Sequence, residues 1–570
     1  MRSRRSLFIA AVLAAMVAAC ADTTDDSTST TGDPPATSQP PTTQAAATTT
    51  TKSTPEPLLL PRVEITGPEE VVWDWSEQQC EPENIPDIAA RAFRDADGQV
   101  QMILGHYVNY RMIGPSFDEL VTDCSGPILR SDFDPDHTKF DDSEWIGSPY
   151  TVDGVTVYAV VHNEYRGDTH EAARPDQCPS HDRLTCLDIS LTMVVSNDGG
   201  ASYQHIAPPP DHMIATLPYV YNDEGVPSGL RQPSNIIEGP DGYDYVFSNL
   251  SDYPNEAQWV CAMRTDDLSD PDSWRFWTGS DFSGVFVDPY VEEVDALTPK
   301  CAPLAREQLG GGIQESIVYD VALGRYVMFG GSELMGAEFT WGVHYAISED
   351  LINWTGRELL IELPGTYSVA DSTSDLFYAY PSVIDPDSES MNFETSDGEA
   401  YLYLTRLNEG AYSLDRDLVR FPIKLGWVEA EIPDWQFETD GDTEGWRELF
   451  SVDPLSVSGG SLQVQTTGDD PYIGSGSITV PDAYGTLVIR MRVSGDGETD
   501  LGQVFFGTDT NPSHTEERSV DFEVIADGEF HDYELAMGDV PGWEGIITSL
   551  RLDPILDGVR TIEIDRIWLR

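Results

Sequence analysis

Basic residues are scarce in this sequence, which has 32 Lys and Arg against 99 Asp and Glu among 570 residues. The formal net charge is −67 and the isoelectric point is about 4.1. A field of this sign repels nucleic acids and anionic membrane surfaces, so neither is expected as a partner. A neutral glycan carries no such penalty. Because the charge is spread along the chain, it also suits a plain solubilising surface in salty surroundings.

The apolar run at the N-terminus, Leu7 to Ala19, is too short to span a bilayer. It follows the basic start Met1-Arg-Ser-Arg-Arg-Ser and is typical of a secretory signal peptide. The run ends Val17-Ala-Ala-Cys20, which resembles the bacterial lipobox. The resemblance implies that residues 1–20 are a lipoprotein signal peptide, that Cys20 is lipidated, and that the protein is anchored outside the bacterial cell membrane. The alternative is an ordinary signal peptide followed by a chance cysteine.

Aliphatic residues are almost missing between positions 21 and 60, where Thr, Ser, Pro, Ala and Asp predominate. Such a segment cannot bury enough apolar surface to offset its chain entropy. Residues 21–62 are therefore predicted to be a flexible, partly extended tether whose composition suits O-glycosylation. The roughly 500 residues that follow exceed one ordinary core, so at least two domains are expected.

The sequence contains no Cys-x-x-Cys pair, which argues against a cysteine-based metal site. It has 7 cysteines, and six remain once Cys20 is assigned to the lipid. An even set in an exported protein predicts disulfides, although six cysteines allow many connectivities. Proximity in the sequence favours the pairs Cys80–Cys124, Cys178–Cys186 and Cys261–Cys301.

Long amphipathic helical patterns are also nearly absent. Short alternating or apolar runs recur instead, separated by Gly, Pro, Asp and Asn, as is typical of antiparallel β structure. One pattern occurs five times: a Gly-containing turn leads into an aromatic and aliphatic strand that ends in polar residues. The five copies are 98–106, 154–162, 242–249, 324–331 and 398–406.

A second short run precedes each copy. These runs are 87–93, 147–152, 232–237, 314–319 and 380–384. The two runs together form a hairpin used five times, and its spacing of roughly 55 to 90 residues leaves room for a four-stranded blade. The sequence therefore predicts an all-β fold that begins with a five-bladed β-propeller over residues 63–428.

Three turn motifs support this prediction. Ser196-Asn-Asp-Gly-Gly-Ala-Ser-Tyr203 resembles the Asp-box turn of sialidase-type propellers, and Ser348-Glu-Asp-Leu-Ile-Asn-Trp354 is a looser version. The segment 265–274, Thr-Asp-Asp-Leu-Ser-Asp-Pro-Asp-Ser-Trp, resembles blade turns of five-bladed glycoside hydrolases. In such turns Asp and Ser bond nearby backbone groups and the aromatic residue packs between sheets, so Asp198 and Asp350 are interpreted as structural.

The last part of the chain, residues 429–570, is predicted to be a compact antiparallel β-sandwich. Its Trp-rich first and last segments, 435–446 and 543–569, resemble galactose-binding-like jelly rolls. The resemblance implies a carbohydrate-binding domain of the kind appended to carbohydrate-active enzymes. Trp446 and Trp543 are candidates for stacking on sugar rings, with packing in the core as the plainer interpretation of each.

In a propeller, the starts of the first strands and the ends of the second strands converge at one end of the axis, where function concentrates. In this sequence those positions carry acids, bases and aromatic residues, which predicts a polar pocket on the axis. The predicted substrate-binding residues are His106, Trp145, His162, Asn163, Arg231, Asn235, Asn249, Tyr380 and Arg406.

Blade number and turn chemistry over about residues 80–425 resemble the five-bladed glycosidases of the arabinanase and xylosidase family. Glycoside hydrolysis uses two carboxyl groups: one protonates the leaving oxygen, and the other activates water or attacks carbon. By its place in the first blade, Asp87 matches the family's base. Glu315, which follows the run Gly310-Gly-Gly312, is the candidate general acid, and Glu164 is a second acid or a group that tunes another carboxyl. The sequence departs from the family in lacking the Glu expected in the third blade.

The same residues also have plainer structural interpretations. Asp87 would cap the turn beside Pro86, and Glu164 would pair with Arg166 or Arg94. His106 and His162 would be structural imidazoles whose hydrogen bonds are satisfied.

Three functions remain open from the sequence. The first is a monomeric, surface-anchored hydrolase of an extracellular or cell-wall polysaccharide, whose sandwich holds the polymer near the pocket. The second is a propeller lipoprotein that binds glycan or protein without catalysis. The third is a sialidase-like exo-enzyme, which would clamp a substrate carboxylate with an arginine triad, here Arg94, Arg231 and Arg406. No cofactor is expected, and a calcium ion is left open because no ligand spacing identifies a metal site.

Overall fold

Antiparallel strands make up nearly all of the regular structure, as the short alternating runs predict. The computed structural model describes residues 59–570 except 184, 222–227, 253–256, 296, 335–339, 366–374, 411–412 and 510. Cys20, the predicted signal peptide and the predicted tether up to residue 58 lie outside the described residues. In the described part of the chain, no helix is long and apolar enough to cross a membrane.

The strands of the first two blades follow one another along the chain. Strands β1 (Leu59–Ile65) and β2 (Glu70–Trp73) precede them. Blade 1 contains β3 (Arg91–Arg94), β4 (Val100–Leu104), β5 (Val108–Gly114), β6 (Val121–Thr122) and β7 (Leu129–Arg130). Blade 2 contains β8 (Ser143–Thr151), β9 (Val157–Arg166), β10 (Leu187–Ser196), β11 (Gln204–His205) and β12 (Met213–Ala215).

The next two blades repeat the same order. Strand β13 (Ser228–Arg231) leads into blade 3, which contains β14 (Ile237–Glu238), β15 (Asp244–Asp252), β16 (Ala257–Thr265) and β17 (Arg275–Phe276). Blade 4 contains β18 (Ser316–Asp320), β19 (Arg325–Leu334), β20 (Thr340–Ser348) and β21 (Glu358–Glu362). Strand β13 pairs with both β10 and β15, so blades 2 and 3 share one hydrogen-bonded sheet.

Blade 5 combines strands from both ends of the propeller. It contains β22 (Phe377–Ile384), β24 (Glu399–Leu407) and β25 (Arg416–Glu429), with the short β23 (Thr395–Ser396) pairing instead with β18. Strands β1 and β2 both pair antiparallel with β25 and complete the blade. The propeller strands therefore run from residue 59 to residue 429, four residues earlier and one residue later than the predicted domain.

Hydrogen bonds between neighbouring blades close the ring. Asn109 of blade 1 bonds the backbone of blade 2 at Glu144 and Ile146, and the Ser148 hydroxyl donates to Ser234 O in blade 3. Asn235 of blade 3 exchanges two bonds with the backbone of Ile317 in blade 4. Two serines finish the circuit: Ser316 accepts from Val383 N, and Ser382 donates to Ala90 O in blade 1.

One apolar cluster fills each gap between neighbouring blades. Examples from the five gaps, in order from blades 1–2 to blades 5–1, are Phe93 with Val161, Leu191 with Leu250, Phe247 with Met328, Phe329 with Leu402, and Tyr403 with Met102. Burial of these apolar clusters holds the blades side by side, because each sheet can cover its two apolar faces only against the two neighbouring sheets. The predicted five-bladed propeller is therefore confirmed.

The C-terminal strands form two packed antiparallel sheets. The first sheet contains β26 (Asp434–Trp435), β28 (Ser456–Val457), β29 (Leu462–Gln465), β32 (Leu487–Val493), β35 (His531–Leu535) and β37 (Thr561–Leu569). The second contains β27 (Arg447–Phe450), β30 (Tyr472–Gly474), β31 (Val480–Pro481), β33 (Glu498–Thr508), β34 (Ser519–Ala526) and β36 (Ile546–Asp553). Trp446 and Trp543 both lie in the core between the sheets, so they offer no platform for a sugar.

Helical structure is limited to single turns. Helix α1 (Trp75–Gln78) precedes blade 1 and helix α2 (Arg306–Leu309) precedes blade 4. The 3-10 turns are Phe117–Glu119, His137–Lys139, Gly167–His170, Pro271–Ser273, Glu516–Arg518 and Met537–Asp539.

The predicted disulfides and turn motifs are present. Sulfur atoms are bonded in Cys80–Cys124, Cys178–Cys186 and Cys261–Cys301. The Asp198 carboxylate accepts from Ser202 N, and that of Asp350 accepts from Asn353 N. The aromatic residues that end the motifs, Tyr203, Trp274 and Trp354, are buried in the gaps between blades. These aspartates are structural, as expected.

Candidate functional site

A single buried guanidinium lies at the centre of the ring. Arg91, on the innermost strand of blade 1, is 4 % exposed. Its nitrogens donate to Ala90 O, Gly147 O, Pro233 O, Glu315 O and Ser382 Oγ, which belong to blades 1, 2, 3, 4 and 5. Burial lowers the pKa of Arg91 to about 9, against which the charge of Glu315 acts. The donors of this one side chain thus hold the inner edges of all five blades around one point.

Asp87 lies four residues before Arg91, in the segment that leads into β3, the inner strand of blade 1. Its Oδ2 accepts from Trp145 Nε1 at 3.2 Å and lies 3.7 Å from His106 Nε2. Its Oδ1 accepts from the Tyr380 hydroxyl at 3.2 Å and is ion-paired with Arg416. The structure therefore brings together side chains from blades 1, 2 and 5 around one carboxylate.

Tyr380 reaches Asp87 through a distorted backbone. Its φ is +58°, in the left-handed region, and the pairing of β22 with β24 is irregular between Ala379 and Ser382. A bulky residue in that region costs on the order of 1–3 kcal/mol, which the surrounding structure must offset. Such local strain is typical of positions where a side chain must be aimed at a site.

Glu164 and His162 extend the site along blade 2. His162 Nε2 lies 3.2 Å from Glu164 Oε1, and the His162 ring packs edge-on to Trp145 with centroids 5.5 Å apart. Burial acts to raise the pKa of Glu164, but the hydrogen bond and charge of His162, with the charges of two arginines, outweigh it and lower the pKa. Glu164 is therefore held as a carboxylate, linked to Asp87 through His162 and Trp145.

His106 has a different environment. Its Nδ1 donates to Glu83 O at 2.8 Å, which fixes the ring beside Asp87. Burial lowers the pKa of His106 despite the opposing charge of Asp87. The imidazole is therefore neutral at pH 7. We call Asp87, His106, Trp145, His162, Glu164, Tyr380 and Arg416 the hub cluster.

Glu315 lies directly before β18, the inner strand of blade 4. Its Oε2 accepts from Gly331 N at 2.6 Å, and its backbone carbonyl is one of the five partners of Arg91. Burial raises the pKa of Glu315 to about 7, although the Gly331 hydrogen bond and the charge of Arg91 oppose this. Glu315 is therefore a carboxyl that still holds its proton over part of the neutral range, whereas Glu164 does not.

The glycine run before Glu315 packs against blade 3. Asn249 Nδ2 donates to Gly311 O, and a Cβ on Gly312 would lie 2.7 Å from that amide nitrogen. The run therefore allows the loop to approach Asn249, a predicted substrate-binding residue.

Several other predicted binding residues have partners within the scaffold. Asn163 accepts from Asp142 N and donates to Ser190, and Asn235 joins blade 3 to blade 4. Arg406 is paired with Glu69 and Asp417. The structure does not bring these three residues into the hub cluster.

The three arginines of the sialidase hypothesis contact different parts of the propeller. Arg94 donates to the carbonyls of Ser388 and Ser390, Arg231 donates to Ser251, and Arg406 has the carboxylates named above. A carboxylate clamp requires arginines that converge, so this geometry gives no support to a sialidase-like site.

Three features of the propeller were missed from the sequence. Arg91 and Arg416 lie inside strands, where a charged residue in an apolar run carries no sign of its partners. Asp252, at the end of the second strand of blade 3, is a buried carboxylate bonded to Lys300 at 2.7 Å and to Tyr219 at 3.2 Å. Its position three residues after Asn249 was the available signal for an acid in the third blade.

A third missed feature is a group of His and Glu side chains in blade 2. Glu144, His205 and His212 each place a potential metal-ligand atom within 4.8 Å of the others. They are up to 68 residues apart in the sequence (212 − 144 = 68), so no spacing motif reveals them.

Comparison with known proteins yields only distant structural likeness. No family model and no curated protein matches the sequence. An exo-β-1,3-galactanase from Phanerochaete chrysosporium aligns with 89 % of this chain and 100 % of its own, at 10 % identity and a TM-score of 0.33. An exo-1,5-α-L-arabinanase from a bovine ruminal metagenomic library aligns with 59 % of this chain and 93 % of its own, at 12 % identity and a TM-score of 0.33.

An α-L-arabinanase from Cellvibrio cellulosa aligns with 61 % of this chain and 93 % of its own, at 12 % identity and a TM-score of 0.33. Likeness at this level carries no argument about activity. The fold therefore stands on the strand pairing, and the function proposed below stands on the side chains of the site.

Proposed function

We propose that the chain is a glycoside hydrolase that acts on a neutral polysaccharide at the hub end of the propeller. The observation that carries the proposal is that the pKa values of two buried carboxyls are shifted in opposite directions. Burial raises the pKa of Glu315 to about 7, whereas His162 and nearby arginines lower that of Glu164. Carboxyl groups whose environments push their pKa values apart can serve as the acid and the carboxylate of one hydrolysis.

The roles follow from those protonation states. Glu315 would give its proton to the leaving glycosidic oxygen, while Asp87 or Glu164 would attack the anomeric carbon or take a proton from an attacking water. One water is consumed and two hydroxyl groups form. Trp145, Tyr380 and the neutral His106 would hold the sugar and the carboxylates in place.

Charge and composition support a neutral polymer as substrate. With a formal net charge of −67, the chain repels polyanions, and the hub cluster has one arginine, Arg416, which is already paired with Asp87. β-1,3-Galactan and 1,5-α-L-arabinan, the polymers for which the exo-galactanase and the exo-arabinanase above are named, are the first substrates to test.

The test is reducing-sugar release from neutral plant, algal and bacterial wall polysaccharides. Glu315→Gln should lower the rate by about 10²–10⁴-fold, the usual contribution of a general acid, and Asp87→Asn or Glu164→Gln should also abolish most activity. Because the acid must be protonated, the wild-type rate should fall as pH rises through about 7. Asp244→Asn is the matched control. Burial also raises the pKa of Asp244, to about 6, but Asp244 begins β15, at the end of that strand away from Asn249. Unchanged release by Glu315→Gln would remove the acid assignment.

A second candidate function is glycan binding without hydrolysis. The observation that favours it is the full set of partners around Asp87, whose two oxygens already contact Trp145, Tyr380 and Arg416. Binding of an oligosaccharide with no product formed, lost in Trp145→Ala but kept in Glu315→Gln, would establish that function instead.

Anchoring through Cys20 and polymer capture by the sandwich complete the proposal. The lipobox-like segment 17–20 and the acidic, Thr-rich residues 21–58 support export and attachment outside the cell membrane. Replacement of Cys20 by Ser should release the chain into the medium. A chain that stays membrane-bound after Cys20→Ser would contradict the lipid anchor.

A further inference from the structure

A buried group of imidazoles and carboxyls lies on the face of blade 2 that packs against blade 1. Glu144 belongs to β8, His205 to β11, and His212 to the turn that precedes β12. His205 Nε2 is 3.0 Å from Glu144 Oε1 and 3.5 Å from Asp141 Oδ1. The rings of His205 and His212 face each other with centroids 4.4 Å apart. We call Asp141, Glu144, His205 and His212 the blade 2 cluster.

His212 supplies an independent sign that the cluster is built for a ligand. Its side chain is completely buried, and neither ring nitrogen makes a hydrogen bond within the described residues. The backbone carbonyls of Phe140 and Pro210 lie near the ring as weak acceptors, outside good hydrogen-bond geometry. A buried imidazole with no hydrogen bond costs free energy unless another partner binds its lone pair.

The electrostatics of the cluster favour a cation. Glu144 is 1 % exposed and lies beside Asp141, so two carboxyls share one buried space. A divalent cation would offset the repulsion between the carboxylates and bind the neutral imidazole.

We propose that the blade 2 cluster is a zinc-class metal site, with His205 and His212 as nitrogen ligands and Glu144, assisted by Asp141, as the oxygen ligand. Two imidazoles with carboxylates are a ligand set of Zn²⁺ and its first-row neighbours, whereas Ca²⁺ takes oxygen ligands throughout. Each ligand atom lies close enough to the others that small side-chain adjustments complete a shell with bonds of about 2.0–2.2 Å.

The position of the site indicates what the metal does. It would tie the outer strands β11 and β12 to the start of β8, because its ligands come from all three places. Trp145 follows Glu144 directly and donates to Asp87. The metal would therefore stabilise blade 2 and fix the segment that carries one wall of the hub cluster.

The test uses the purified full-length chain, stripped with a chelator, exposed to Zn²⁺ and freed of excess metal by gel filtration. We expect about one Zn²⁺ per chain by elemental analysis and a rise in the unfolding temperature on reloading. His212→Gln and His205→Gln should each weaken Zn²⁺ binding by at least about tenfold. The matched control is His181→Gln, which breaks an exposed His–Glu pair of the same blade and should bind Zn²⁺ as the wild type does.

A second measurement on the unmodified chain covers the case in which a histidine variant fails to fold. X-ray absorption of the zinc-loaded protein should show imidazole scattering together with oxygen ligands. Stoichiometry far below one, equal zinc content in His212→Gln, or a spectrum without imidazole would each overturn the assignment. These readouts do not depend on hydrolysis, so they stand or fall apart from the proposed activity.

Discussion

The propeller and the sandwich bury their side chains in different ways. The sandwich has one continuous apolar core, and among its described residues only Arg518 and Asp553 are buried Asp, Glu, Lys, Arg or His side chains. In the propeller the apolar residues form separate clusters between neighbouring blades. Ionisable groups are buried near its centre, including Arg91, His106 and Glu315. Buried charge is costly, so its concentration in one domain marks where stability depends on pH and supports the proposed location of the active site.

Among substitutions that test this difference between the two domains, Arg91→Met is expected to have the largest effect on stability. The change removes the donors for carbonyls of four blades and the Ser382 hydroxyl, so we expect the propeller to lose about 3–5 kcal/mol of unfolding free energy. Hydrogen exchange, read separately for strands β3–β25 and β26–β37, should show the loss in the propeller alone.

The matched change in the sandwich is Arg518→Met. Arg518 donates to only two carbonyls, those of Asn511 and Ser513, so its loss should cost about 1–3 kcal/mol. Equal costs for the two arginines would contradict the role of Arg91 as the common partner of the ring.

A smaller effect, confined to the propeller, is expected from Glu315→Gln. The folded-state pKa of Glu315 is raised to about 7, so folding favours its protonated form. Its contribution to stability is complete below about pH 4.5 and is lost as pH rises through about 7, by on the order of 2–3 kcal/mol. Glutamine stays neutral, so the variant should lose less stability than the wild type between pH 5 and pH 8 in urea titrations. Parallel pH curves for the two proteins would show that Glu315 does not carry this dependence.

The smallest effect is expected in the sandwich core. Ile489, fully buried between the sheets, becomes one methylene smaller in Ile489→Val and should cost about 0.5–1.5 kcal/mol. The loss should be the same at pH 5 and pH 8, because burial raises the pKa of Tyr533, which pairs with Ile489 across the sheet, so its hydroxyl stays protonated over this range. A pH-dependent loss would show that the two domains differ less than their buried residues indicate.

Features that depend on residues close together in the sequence could be predicted from it. Alternating runs and turn glycines predicted the five hairpins, proximity predicted the three disulfides, and the Asx turns predicted the structural role of Asp198. The sequence also placed Glu164 near the end of a second strand and Glu315 at the start of an inner strand, where they are found, whereas Asp87 lies four residues before β3.

The interactions that it could not predict join residues from different blades. Arg91 occurs in the apolar run Ala89-Ala-Arg-Ala-Phe, and its partners become neighbours only after the ring closes. The blade 2 cluster depends on an irregular pairing of β10 with β12 next to His212, which no alternation pattern shows. Asn163 and Asn235 were expected in the pocket because their strand positions fit, but their amides bond the scaffold.

The pairing of β1 with β25 sets the order in which this protein can mature. The first strand ends at Ile65, but its partner begins at Arg416. At ordinary synthesis rates the partner follows roughly 20 to 70 s later, and until then the first strands are an open edge that invites mispairing. A chain that stops before Arg416 can neither seal blade 5 nor complete the hub cluster, so the propeller closes in one late step.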